Sequence, residues 1–172
     1  VNGPAVGLGL VQAAFCDLRV VSEGARFDAA FPRLGLVAEH GLAWLLPRLI
    51  GTSVAMQVLL ADQSLDARRS VDVGFAMAIE STPEQALTRS LKIAERIARL
   101  APRALAATKW QLYRQLSESF AQAQDDTARL MSRALAAPDF ADGVRGLIEH
   151  RAPVFDTSEV DALLRTEPPW LE

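Results

Sequence analysis

At 172 residues, half of them hydrophobic, the chain has enough apolar material for the core of one domain. Its 18 Lys and Arg against 21 Asp and Glu leave a net charge of -3, which provides no field for holding nucleic acid, and a single cysteine excludes an intrachain disulfide. No apolar run approaches membrane-spanning length and the start lacks the charged-then-apolar layout of a signal peptide, so a soluble protein with no membrane partner is expected, by default cytoplasmic.

The first residues, Val1 to Val6, read as an apolar strand that runs into a turn bearing Gly3, Gly7 and Gly9, with an apolar helix from Leu10 to Phe15. Bare amides at such a helix start bind anions. Cys16, between Phe15 and Leu18, reads as a buried structural thiol. Leu18 to Val21 and Ala25 to Asp28 lean toward strand, and a loop follows. Helices are then expected from Glu39 to Ile50, stopping at Gly51, from Ser53 to Ala61, and from Asp66 to Val73, stopping at Gly74. Phe75 to Ile79 reads as a last strand. Pro83 opens a long helix on which Leu87, Leu91, Ala94, Ile97 and Ala98 recur with helical spacing, and Pro102 opens another to about Leu116. Ser117 to Ala137 and Pro138 to His150 predict two more, and the tail after Pro153, with Trp170 near its end, reads as irregular. Three or four short strands do not make a well-covered sheet, yet the first is apolar throughout like an interior strand, so partner strands are expected upstream.

The segment VNGPAVGLGLVQAAFCDLRVVSEGARF resembles the central signature of the enoyl-CoA hydratase/isomerase, or crotonase, superfamily. FPRLGLVAEHGLAWLLPRLIG is similar to the active-site loop and helix that follow it there; LLADQSLDARRSVDVGFA, APRALAATKWQL and FADGVRGLIEHRAPVF resemble later pieces, in order, to about Phe155. The resemblance implies an α/β fold, the crotonase-like ββα spiral, incomplete at the N-terminus and with a helical C-terminal region. Residues 1–82 would be the C-terminal part of the spiral core, 83–155 the helical, oligomer-forming region and 156–172 a tail. It also implies an acyl-CoA substrate, coenzyme A entering as part of that substrate with no other cofactor, and a homo-oligomer, either a trimer or a dimer of trimers.

The same resemblance assigns site residues. In the turn Gly7-Leu8-Gly9 the Leu8 N–H matches one of two amides that polarise the thioester carbonyl, the other belonging to the preceding half of the fold. Such a donor stabilises the charge that develops on the oxygen when a neighbouring proton is removed. From the residues alone the glycines are equally a means of making a tight strand-to-helix turn. The two glutamates of the best-known hydratases fall on Val11 and Phe31, and neither side chain moves a proton. Glu39, eight residues beyond Phe31, matches the place where other branches of the superfamily carry an active-site carboxylate. Its neighbours Leu36, Val37 and Ala38 and the helix bearing Trp44 would desolvate it, while the helix start favours its charged form; without the resemblance it is an ordinary first-turn acid. Phe31, Leu36 and Trp44 are the expected lining of an acyl pocket, or plain core.

His40, His150, Asp17 and Asp28 read chiefly as capping, strand-end or surface residues, and Arg103, Lys109 and Arg114 as solvated helix faces with a lesser claim to a coenzyme A phosphate. No spacing of His, Cys and carboxylates points to a metal. A lone carboxylate suits moving a double bond better than hydration, which must both activate water and protonate carbon. The alternative is a catalytically silent acyl-CoA-binding or assembly module.

Overall fold

The computed structural model describes residues 1–157, so the expectations for the end of the tail and for Trp170 lie outside the described residues. The chain divides into two units, Val1–Ala94 and Glu95–Glu172, with the boundary inside a helix.

In the first unit, strand β1 (Pro4–Val6) leads into helix α1 (Leu8–Phe15), and β2 (Val20–Ser22) and β3 (Arg26–Asp28) follow. Helices α2 (Leu42–Ile50) and α3 (Thr52–Leu59), the short strand β4 (Leu65–Asp66), α4 (Ala67–Asp72) and β5 (Ala78–Glu80) complete the strand-bearing part, and α5 (Pro83–Ile97) is the helix that holds the boundary. The strands form two small sheets, β1-β3-β4 and β2-β5. β1 pairs with β3 in parallel, Val6 opposite Asp28, so the opening strand has its partner downstream; β4 lies antiparallel on the other side of β3. Sequence reading misses β4 because two residues carry no alternation to detect.

A parallel pair needs a crossover connection, and α1 with β2 supplies it between β1 and β3. The apolar face of α1, Leu10, Val11, Ala13 and Ala14, is buried in the core with Val21, Phe27, Leu42, Leu46 and Val58. Phe27 meets Phe75 edge to face, ring centroids 4.9 Å apart. Each such fully buried side chain contributes roughly 1.5–3 kcal/mol relative to exposure. Cys16 is a correction: its thiol is exposed and donates to the Gln12 carbonyl at 3.3 Å, because the residue stands just past the end of α1 rather than on its inner face.

The second unit carries α6 (Pro102–Arg114), α7 (Phe120–Ala136) and α8 (Pro138–Ile148). α7 starts three residues after the sequence reading places it, because Ser119 is its cap: the Ser119 hydroxyl accepts the Gln122 N–H, and the Gln122 side chain accepts the Ser119 N–H at 2.9 Å. Beyond α8, the Asp142 carboxylate accepts from Arg151 Nη2 and from the Val154 N–H, both at 2.7 Å, which ties residues 151–154 to the helix. These hydrogen bonds, with Arg151 first, hold the Asp142 carboxyl down at about 2. Gly146 makes the tie possible, since a Cβ there would stand 2.9 Å from the Arg151 carbonyl oxygen.

Candidate functional site

The turn between β1 and α1 is built on Gly7, whose φ of 54° and ψ of -113° suit a residue without Cβ. Its N–H donates to the Asp28 carbonyl at 2.9 Å, and its own carbonyl accepts the Val11 N–H at 3.1 Å. Leu8 is therefore the first residue of α1, two positions earlier than hydrophobic spacing predicts. An N–H at this position has no carbonyl one turn back to pair with, and the positive end of the helix dipole lies on it. Gly9 follows inside the first turn, and the Leu8 side chain is half exposed.

The other end of α1 is held by Arg19, which is buried. Its guanidinium donates to the carbonyls of Ala13 at 3.2 Å and Ala14 at 3.3 Å, also to those of Cys16 and Phe75, and lies 4.7 Å over the Phe75 ring. A cation on the last carbonyls of a helix satisfies their orphan acceptors and opposes the dipole.

Asp28, 3 % exposed, ends β3 beside this turn. Its carboxylate accepts from Arg26 Nε at 2.8 Å and from the Ser64 hydroxyl. Sequence reading gave Asp28 a strand-ending role; its partnership with Ser64, 36 residues away, has no signature in the sequence.

The loop after Asp28 begins against the turn, with the Ala29 carbonyl oxygen 3.8 Å from where a Gly7 Cβ would be. Phe31 goes inward, 4 % exposed, into the core that also holds Val11, likewise at 4 %. Leu36 and Val37 point outward at 48 % and 80 % exposure. Glu39 precedes α2 rather than sitting in its first turn, and its carbonyl accepts the Leu42 N–H at 3.0 Å. Its carboxylate is 42 % exposed and 3.7 Å from His40 Nε2. The apolar neighbours thus do not enclose it: Leu36 and Val37 are themselves exposed, and only Ala38 packs against the core. Trp44 is half exposed, with the Arg48 guanidinium 4.0 Å over its ring.

The structure therefore brings the Gly7-Leu8 turn, Asp28 and the start of the 29–41 loop together, and sets Glu39 at that loop's far end. Arg103, Lys109 and Arg114 belong to the helical unit, where Arg114 pairs with Glu118 at 2.7 Å. That unit has its own apolar groove of about 620 Å³, lined by Ala104, Leu130, Phe140, Val144 and Leu147 among others, with Arg103 at its wall.

Residues 1–158 match the family profile described as enoyl-CoA hydratase/isomerase. A probable enoyl-CoA hydratase of Mycobacterium tuberculosis, EchA12, is 36% identical over 159 residues, covering 90% of this chain and 55% of that protein. The 2,3-dehydroadipyl-CoA hydratase of Escherichia coli is 33% identical over 156 residues, 90% of this chain and 60% of its own length. A solved structure of a putative enoyl-CoA hydratase/isomerase from Mycobacterium abscessus matches with a TM-score of 0.86 at 28% identity, covering 91% of this chain and 64% of that one. The chain thus spans a little over half the length of the curated relatives it matches. On the profile match across nearly all of its residues, and with the α/β crotonase fold its neighbours share, the chain belongs to the enoyl-CoA hydratase/isomerase family.

Proposed function

We propose that the protein acts on enoyl-CoA thioesters, holding the thioester oxygen at the Leu8 N–H and moving a double bond with Glu39 as the single proton carrier. The observation that carries this reading is the Gly7-Leu8 turn, an unpaired-by-position amide at the start of an anchored helix whose Leu8 side chain is half exposed. In the reaction, the Glu39 carboxylate takes a proton from the α-carbon of a β,γ-enoyl thioester, to be returned at the γ-carbon. The C–H electron pair shifts toward the thioester, the charge on oxygen is met by the amide dipole, and the proton returns from the neutral carboxyl to the other carbon. The buried Val11 and Phe31, at the positions of the two hydratase glutamates, support isomerisation over two-glutamate hydration. Phe31, Leu36 and Trp44 belong to the same reading as candidates for contact with the acyl chain.

Assembly into trimers or dimers of trimers is part of the proposal. It is supported by the exposed Leu112, Phe120, Leu147 and Ile148 of the helical unit, at 68 %, 78 %, 78 % and 74 %. Among the described residues no helix is long and apolar enough to cross a membrane, and a cytoplasmic setting is the companion expectation.

A second reading, a silent acyl-CoA-binding or assembly module, is favoured by the half-exposed carboxylate of Glu39. The two separate in one set of measurements on the full-length protein. Calorimetric binding of coenzyme A is run beside conversion of a β,γ-enoyl thioester, followed by the ultraviolet absorbance of the conjugated product. Isomerisation faster than hydration is the expected result. Binding without conversion would establish the silent module, and neither binding nor conversion would overturn both.

A further inference from the structure

We infer that Asp28 is a positioning residue for the Leu8 amide, acting through Gly7; this rests on the oxyanion reading proposed above. Asp28 is a buried carboxylate that the proposed chemistry does not use, and a buried charge persists only where it is paired. Its two side-chain partners come from different places. Arg26 lies two residues back on β3, and Ser64 stands immediately before β4, the strand that pairs Leu65 with Phe27. The carboxylate therefore fastens the last residue of β3 to the entry of its neighbouring strand.

The backbone of that same residue carries the turn. The Asp28 carbonyl accepts the Gly7 N–H at 2.9 Å, the last rung after the Val6–Asp28 pair of the parallel ladder. Gly7 is also the residue whose φ and ψ aim the next N–H, that of Leu8. A fixed carbonyl holds Gly7, and Gly7 directs the amide. A donor aimed at a developing charge loses much of its effect with small displacements, and a shift of about 1 Å costs up to about 100-fold in rate.

Asp28→Asn keeps the volume and removes the charge on which Arg26 and Ser64 converge. Ser64→Ala removes the second partner from the other side. In the full-length protein both are expected to lower kcat about 10- to 100-fold with KM nearly constant, the pattern for an interaction made in the transition state. In a double-mutant cycle with Leu8→Pro, the loss from Asp28→Asn should largely vanish, because the amide it aims is already gone. Amide hydrogen exchange supplies a readout that needs no turnover: Gly7 should exchange faster in Asp28→Asn while Val21 and Ile79 of the other sheet keep their protection.

Unchanged Gly7 exchange, or losses that add in full in the cycle, would overturn the positioning role. Uniformly faster exchange across both sheets would overturn it too, in favour of general destabilisation. If Leu8→Pro alone leaves turnover intact, the oxyanion reading fails instead. The Gly7 exchange result then still decides whether Asp28 fixes the turn.

Discussion

Replacing Leu8 by proline tests the amide at the start of α1 directly. Proline is favoured at the first helical position, where the missing N–H breaks no intrahelical bond and its fixed φ suits the helix. The residue ahead of a proline must avoid helical ψ, and Gly7 does so at -113°. The Leu8 side chain is 53% exposed, so changing it forfeits less than half of the ~1.5–3 kcal/mol of a buried leucine, about 1.4 kcal/mol at most. Loss of one oxyanion donor costs about 2.7–4 kcal/mol in the transition state, or roughly 10²–10³ in kcat. The kinetic effect should therefore exceed the stability effect by at least about 1.3 kcal/mol. The proline Cδ stands where the amide hydrogen pointed and raises KM as well, so kcat at saturating thioester is the discriminating quantity. Leu8→Ala, which truncates the same side chain and retains the N–H, isolates the side-chain share. A folded Leu8→Pro protein with the parent's kcat removes Leu8 from the mechanism.

Glu39→Gln keeps size and hydrogen-bonding capacity while abolishing the base; turnover should fall by about 10²–10⁴, and exchange of substrate α- or γ-protons with deuterated solvent should stop. Persistent exchange in a well-folded variant would show that the proton carrier is another group. Asp142, held down to about 2 from 3.8 chiefly by Arg151, has a native value below its unfolded one. Its stabilising effect is therefore complete above about pH 4 and lost as pH falls toward 2, and Asp142→Asn should flatten the acid limb of the thermal stability profile in that window. Parallel acid limbs for the two proteins would contradict the assignment. Gly146→Ala places a Cβ 2.9 Å from the Arg151 carbonyl oxygen and 3.3 Å from Pro153 N, both backbone atoms. It should cost about 1–3 kcal/mol by denaturant unfolding, and an unmoved midpoint would mean that residues 151–153 yield freely.

The helices were legible because their signals are local. Pro83, Pro102 and Pro138 each stand at the first helical position where the sequence reading puts them, and Gly51 and Gly74 close the preceding segments. Strand boundaries drifted, as β5 begins at Ala78 rather than Phe75, because Phe75 is core packed on Phe27 and an apolar residue announces burial before it announces strand. In the site, the glycine turn was readable from composition, and the family resemblance supplied the role proposed for Leu8. The surroundings of Glu39 were not readable. The apolar run Leu36-Val37-Ala38 looks like a desolvating wall, but a loop has no fixed periodicity, and two of its three side chains turn outward. The Asp28–Ser64 and Arg19–Phe75 contacts span 36 and 56 residues, separations that no local pattern encodes.

On the proposed role of the Leu8 N–H, these two long-range contacts serve one purpose. An amide polarises a substrate oxygen efficiently only if it does not have to move when charge appears. A helix of eight residues is too short to be rigid through its own hydrogen bonds, since isolated helices under about 12–15 residues are marginal in water. Burial of Leu10, Val11, Ala13 and Ala14 in the core holds it in place, and its ends add the directional restraint. At the N-terminus the Asp28 carbonyl holds Gly7; at the C-terminus Arg19 gathers the carbonyls of Ala13, Ala14 and Cys16 and fastens them to Phe75. Both fixing residues are charged and buried, a costly choice for a core that apolar packing alone would stabilise. Directional hydrogen bonds fix position in a way that non-directional burial does not, and position is what a preorganised donor requires.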